Sequence, residues 1–180
     1  MKILLVSDTH IPERASELPP AFVDFALVQQ PDLVVHLGDY TSLEVYDWFR
    51  EHFGERFVGV LGNMDDPELE QRVHELETLQ LDNLRVLCAH GHQVPRGDLD
   101  ALAALARRHG ASVLFTGHTH IPLAREHAGI IIINPGSLTN GAIRGAPDCF
   151  AVIEISNGRL EVRHYNSESL ELLSSAVFQL

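Results

Sequence analysis

Cysteine is nearly missing from this chain. Only Cys88 and Cys149 occur in 180 residues, too few for a disulfide framework or a cysteine-rich zinc site. Cations are scarce too: 13 Lys and Arg stand against 25 Asp and Glu, a formal net charge of −12 with histidine neutral. So acidic a surface repels a phosphate backbone and speaks against stable nucleic-acid binding. No apolar run approaches the ~20 residues needed to span a bilayer. The opening KILLVS run meets Asp8 at once, without the longer apolar region and small-residue cleavage site of a secretory signal. The expectation is a cytoplasmic protein with no membrane association. What the chain does have is histidine, 11 residues of it, and neutral imidazole is the commonest metal-ligating side chain. Its length and 45% hydrophobic content predict a single folded domain over residues 1–180.

The first half reads as strands alternating with helices. KILLVS (2–7) is continuously apolar, as a strand buried on both faces requires. Helical spacing follows at 20–30, with proline at the start. A strand is expected at 32–39 and a helix at 42–54, capped by Ser42 and ended by Gly54. FVGVLGN (57–63) gives a third strand, and a short helix is expected after Pro67. The second half adds strands at 76–81 and 84–92 joined at Asp82-Asn83, and a helix at 98–109 ended by Gly110. The segments SVLFTGHTH, LAREH, IIIIN, CFAVIEIS and RLEVRHY follow, with a hairpin signal at Asn157-Gly158. The expected architecture is α/β with two sheets, the first partly parallel and the second richer in antiparallel pairs.

Polar residues gather wherever an apolar strand stops. The sites are Asp8-Thr9-His10, Gly38-Asp39, Gly62-Asn63-Met64-Asp65, His90-Gly91-His92 and Gly117-His118-Thr119-His120. In open α/β sheets the carboxyl ends of strands share an edge where ligands bind, so five distant segments converge there. Imidazole nitrogen and carboxylate oxygen suit Zn, Mn, Fe and Ni. Four His, two Asp and one Asn exceed one tetrahedral ion but fit two ions about 3.5–4 Å apart. Asp39 is the natural bridging carboxylate. An Asn carbonyl oxygen ligates without adding negative charge and leaves a centre suited to an anionic substrate.

These segments, with NPGS at 134–137, resemble the calcineurin-like metallophosphoesterase superfamily. Small size, HGHQVPRGD (90–98) and INPGS narrow the resemblance to the small prokaryotic YfcE-type phosphodiesterase branch, to which a eukaryotic retromer subunit is also similar. The likeness runs from Lys2 to about Tyr165. It implies a four-layer αββα sandwich of two mixed sheets flanked by helices. It implies one ion on Asp8, His10, Asp39 and His120, and a second on Asp39, Asn63, His90 and His118. Mn²⁺ is the expected metal, with Ni²⁺, Fe or Zn²⁺ as alternatives. The implied nucleophile is a metal-bridging hydroxide, the substrate a small phosphodiester, and a homodimer fits the branch. The alternatives are a non-catalytic interaction scaffold and a phosphomonoesterase. Ligand completeness favours catalysis, because a scaffold need not keep every ligand.

The chain departs from the wider superfamily at Met64, where that superfamily usually has a histidine that stabilises charge or protonates the leaving group. His92 is the substitute acid, joining Asn63 and Asp39 as the residues assigned to catalysis. Asp65 reads equally well as a residue orienting a ligand and as a turn cap before Pro67. Arg14, Arg96 and Arg144 lie in loops near the matching segments and read as solvated loop charges, with clamping of a phosphate as the alternative; His36 reads as structural, and Asn134 and Ser137 as residues shaping a loop near the metals.

Overall fold

Strand β1 (Lys2–Val6) alternates its faces, which explains its unbroken apolar run. Ile3 and Leu5 enter a core between two sheets, while Leu4 and Val6 enter a second core beneath helices. A computed structural model describes residues 1–180. It contains α1 (Pro20–Gln29), β2 (Leu33–His36), α2 (Leu43–Phe53), β3 (Phe57–Gly59), β4 (Leu76–Leu81), β5 (Leu84–Ala89) and α3 (Leu99–Arg108). There follow β6 (Val113–Thr116), β7 (Leu123–His127), β8 (Ile130–Asn134), β9 (Cys149–Ser156), β10 (Arg159–Asn166) and β11 (Leu172–Gln179).

The six-stranded sheet has the order β11-β10-β9-β1-β2-β3, and the five-stranded sheet β4-β5-β6-β8-β7. Val35 and Leu37 from the first sheet face Val86, Cys88, Val113, Phe115, Ile131 and Ile133 from the second. On the outer face of the first sheet, Phe22 and Ala26 of α1 and Phe49 of α2 cover Leu4, Val6 and Val34. On the outer face of the second, Leu102, Ala103 and Ala106 of α3 cover Leu87, Leu114 and Ile132. This is the expected four-layer sandwich. Each fully buried aliphatic side chain contributes about 1.5–3 kcal/mol. No helix is long and apolar enough to cross a membrane.

Several local expectations are corrected. The second sheet is not the richer in antiparallel pairs: it has two parallel and two antiparallel, against two and three in the first. The C-terminal strands β9 to β11 add to the free side of β1 and carry the antiparallel pairs to the first sheet. The helix after Pro67 is only a 3₁₀ turn, Leu69–Gln71. Ser42 occupies the cap position of α2, yet its hydroxyl makes no cap bond. Asp98 does cap α3, accepting from Ala101 N at 3.0 Å. The hairpin at Asn157-Gly158 has both residues at positive φ, 50° and 71°, as a tight strand-reversing turn requires. The carboxyl ends of β1, β2 and β3 in one sheet and of β5 and β6 in the other supply the loops described next.

Candidate metal centre

Two sets of side chains meet at that end of the sandwich. Asp8, His10 and His120 form one, and Asp39, His90 and His118 the other; within each set the ligating atoms lie within 4.8 Å of one another. Asp39 Oδ2 is 3.6 Å from His10 Nε2 and 3.3 Å from His90 Nε2, so it stands between the sets. Asp8 Oδ1 is 3.1 Å from His120 Nε2 and 3.9 Å from His90 Nε2. His10 Nε2 and His120 Nε2 face each other at 3.2 Å.

Hydrogen bonds aim these groups. His90 Nδ1 donates to Leu37 O at 2.7 Å and His120 Nδ1 to Asn140 O at 3.0 Å. A carbonyl only accepts, so in both neutral rings the lone pair is on Nε2, toward the carboxylates. His10 differs, because its Nδ1 has no partner to fix its tautomer. Asp8 Oδ2 accepts from Ser7 Oγ at 2.5 Å and from His118 N at 3.0 Å, leaving Oδ1 free. Met64 N donates to Asp39 Oδ1 at 2.8 Å, leaving Oδ2 for the centre. Asp8 Oδ1 and His90 Nε2 are buried polar atoms without hydrogen-bond partners. Such atoms are costly unless something else satisfies them, and a divalent cation fits this donor set of hard oxygens and imidazoles.

Charge couples the groups strongly. Burial alone would raise the Asp8 pKa, but His90, His10 and His120 outweigh it and hold it well below the usual carboxylate range. Burial opposes a proton on His90, yet Asp8 and Asp39 prevail and raise its pKa to about 9. His118, on the rim, goes the other way: burial first, then the His90 and Arg96 charges, lower it to about 4.

Glycines make the approach tight. A Cβ at Gly62 would lie 2.2 Å from Asp39 Oδ1, and one at Gly117 would lie 2.0 Å from Ser7 Oγ. The NPGS segment braces the ligand loops, with Asn134 Nδ2 donating to Gly117 O at 2.7 Å and Ser137 Oγ to Asp8 O at 2.7 Å.

Asn63 lines the cleft over the centre, a cavity of about 100 Å³ also lined by His10, Asp39, His118 and His120. His92 is not among its lining residues. Its ring centroid is 5.5 Å from that of His90 and 6.4 Å from that of His118, and burial followed by the His90 charge lowers its pKa. His36 is structural. Gly38 N donates to its Nδ1 and its Nε2 donates to Thr9 Oγ1, both at 3.2 Å. Burial lowers its pKa to about 3.

Asp65 resolves in favour of orientation. Its Oδ2 accepts from Asp39 N (3.1 Å) and Gly62 N (2.7 Å), and its Oδ1 from Thr41 N (2.9 Å). It thus ties the Asp39 loop to the Asn63 loop. The three arginines, weighed in the sequence as solvated loop charges against phosphate clamps, all line the cleft: Arg14, Arg96 and Arg144. Their only signal was position, each a few residues beyond a motif.

A probable metallophosphoesterase of Methanocaldococcus jannaschii is 39% identical over 141 residues, covering 77% of this chain and 69% of that protein. Vacuolar Protein Sorting 29 of Cryptosporidium parvum superposes with a TM-score of 0.87 at 25% identity, covering 99% of this chain and 98% of that one. Wild-type Vps29 of Entamoeba histolytica, complexed with Zn²⁺, gives 0.84 at 28% identity and 99% coverage of both chains. The model of the calcineurin-like phosphoesterase superfamily domain matches residues 1–158, which include all five polar loops at the strand ends, and the chain belongs to that superfamily.

Proposed function

We propose that this chain is a cytoplasmic, dinuclear-metal-dependent phosphodiesterase acting on small phosphodiesters. The observation that carries the reading is the position of Asp39 Oδ2, 3.6 Å from His10 Nε2 and 3.3 Å from His90 Nε2, between two sets of inward-facing ligand atoms. The proposed ligands are Asp8, His10, Asp39 and His120 for one ion, and Asp39, Asn63, His90 and His118 for the other. Two divalent ions held there, Mn²⁺ foremost, would supply the Lewis acidity that ionises a water and polarises phosphoryl oxygens.

The protein's own part is to position and to move protons. In the balanced reaction one water adds to phosphorus and one P–O ester bond breaks. The departing oxygen takes up a proton, giving an alcohol and a phosphomonoester. Met64 has no proton to give. His92, beside His90 and His118, is the proposed donor, but its lowered pKa makes it a poor holder of a proton at neutral pH. Good leaving groups are therefore the better substrates.

The test strips the protein with chelator, restores Mn²⁺, and compares a bis(aryl) phosphodiester with an aryl phosphomonoester. Metal-dependent turnover favouring the diester is expected, and it should vanish in Asp39→Ala and His90→Ala. Faster monoester cleavage would reverse the substrate class. A second reading, an interaction scaffold, is favoured by the TM-scores of 0.87 and 0.84 to Vps29 structures. Because one of those holds Zn²⁺, metal content alone does not separate the readings. Absence of turnover in a metal-loaded protein would favour the scaffold.

A further inference from the structure

We infer that Arg14, Arg96 and Arg144 form a second anion-binding subsite at the mouth of the metal cleft, so that the substrate is a small phosphodiester carrying a second phosphate. The inference rests on the phosphodiesterase reading and extends it to a substrate class.

Charge distribution is the first argument. Over the whole chain acids outnumber bases, 25 to 13. In the cleft the order reverses: three arginines line it, and the sole carboxylate is Asp39, which faces the metal ligands. None of the three arginines is ion-paired with a carboxylate.

Their mounting is the second argument. The arginines come from three separate loops, each tied to the centre. Arg14 closes a turn on His10, its backbone N–H donating to His10 O at 2.8 Å. Arg96 Nη1 donates to His118 O at 2.8 Å. Arg144 ends the 3₁₀ turn Gly141–Arg144 beyond the NPGS segment. Gly141 N donates to Asp148 Oδ1 at 2.6 Å, and a Cβ at Gly141 would lie 2.2 Å from Pro147 O. That turn is a fixed platform.

The third argument is charge balance. Two divalent ions against Asp8 and Asp39 leave a surplus of two positive charges, ample for a monoanionic diester and a hydroxide. Three exposed guanidiniums on top of that exceed what a simple diester uses. A guanidinium fork matches phosphate oxygens in bidentate geometry, and a terminal phosphate supplies nearly two more negative charges. Met64 and Ile143, 40% and 54% exposed, line the same cleft and offer apolar contact to the organic part between the phosphates. The acidic remainder of the surface disfavours a long polyanion, which keeps the substrate small.

The experiment compares two substrates that differ by one phosphate: the 4-nitrophenyl ester of thymidine 5′-phosphate, with and without a 3′-phosphate, on the Mn²⁺-restored protein. A kcat/KM at least about tenfold higher for the 3′-phosphorylated ester is expected, carried mainly by KM; tenfold is the worth of one charge-assisted contact. Arg14→Gln, Arg96→Gln and Arg144→Gln should each shrink that ratio toward one, and added salt should do the same. Whatever a variant does to the shared ester cancels in the ratio. A readout without turnover is calorimetric binding of inorganic pyrophosphate to the metal-free protein, expected to weaken several-fold in each variant. A ratio near one in the wild type, with turnover of both esters, would overturn the subsite and leave the phosphodiesterase reading intact. No turnover of either ester would overturn that reading, while pyrophosphate binding unchanged by the variants would independently overturn the subsite.

Discussion

Asp65→Ala should destabilise the protein and loosen its metal site together. The carboxylate accepts from the backbone N–H groups of Asp39, Thr41 and Gly62, all on buried residues. Alanine leaves three donors without a protein acceptor. An orphaned donor costs about 1–3 kcal/mol, and because Asp65 itself is only half-buried, water reaches the gap and holds the sum near the low end, about 3 kcal/mol. For a chain of this size each kcal/mol lowers Tm by about 2–4 °C, so a fall of roughly 6–12 °C is expected in chelator. Asp65→Asn separates geometry from charge. Its carbonyl can take the Oδ2 place and keep two bonds, while its amide meets Thr41 N donor to donor, a loss of about 1 kcal/mol. Burial raises the Asp65 pKa while the N–H groups of Gly62 and Thr41 pull it down, so the charge there carries a desolvation cost that the neutral amide avoids. The assay is thermal unfolding in chelator followed by Mn²⁺ titration. Loss of the brace behind Asp39 should weaken Mn²⁺ about 10–100-fold. An alanine variant that melts within about 1 °C of wild type and binds Mn²⁺ normally would refute the reasoning.

Metal-free stability should depend on pH through His90. Its folded pKa of about 9 lies above the unfolded value of about 6.5, so its contribution is complete below pH ~6.5 and is lost as pH rises through ~9; a Tm flat over that window in chelator would contradict it. Gly62→Ala puts a Cβ 2.2 Å from both Asp39 N and Asp39 Oδ1. Strain of about 3 kcal/mol or more should appear as a fall in Tm with weakened Mn²⁺ binding by calorimetry. Asp98→Ala removes the α3 cap and should cost about 1 kcal/mol, read as a Tm fall of about 2–4 °C with unchanged Mn²⁺ affinity, since α3 supplies no proposed ligand.

Much of this architecture is legible in the sequence because strands covered on both faces must be apolar throughout. The polar residue that ends such a run marks the sheet edge, which is why Asp8, Asp39, His90 and His118 stand out as a set. β11 gave no such signal. LLSSAVFQ neither alternates cleanly nor runs apolar, for it pairs only with β10 and most of it is exposed. The convergence of the arginines was illegible for a different reason. Positions 14, 96 and 144 share no spacing, and only the folded loops bring them to one cleft. Asp65 stayed ambiguous because two of its partners, Asp39 and Thr41, are 26 and 24 residues away, where no local turn rule reaches.

The backbone at the centre explains why Asp and His recur there beyond their ability to ligate. Asp8, His10, Asp39, His118 and His120 all hold positive φ, between 45° and 65°, a region that costs most L-residues about 1–3 kcal/mol each. Asp and His tolerate it better than most side chains. Even at 1 kcal/mol apiece the five hold roughly 5 kcal/mol, about what two ions each present at 100 times its Kd return at ~2.7 kcal/mol apiece. The fold shares in holding these turns in place. Asp8 N bonds to Gly38 O and His10 N to Asp39 O, both at 3.0 Å, Ser137 and Asn134 brace the β1 and β6 loops, and beneath them lie the cores that bury Leu5, Val35, Val86 and Phe115. The packing between the sheets is thus tied to the chemistry at their edge. A cavity there, even far from any ligand, removes support from turns that are unfavourable on their own.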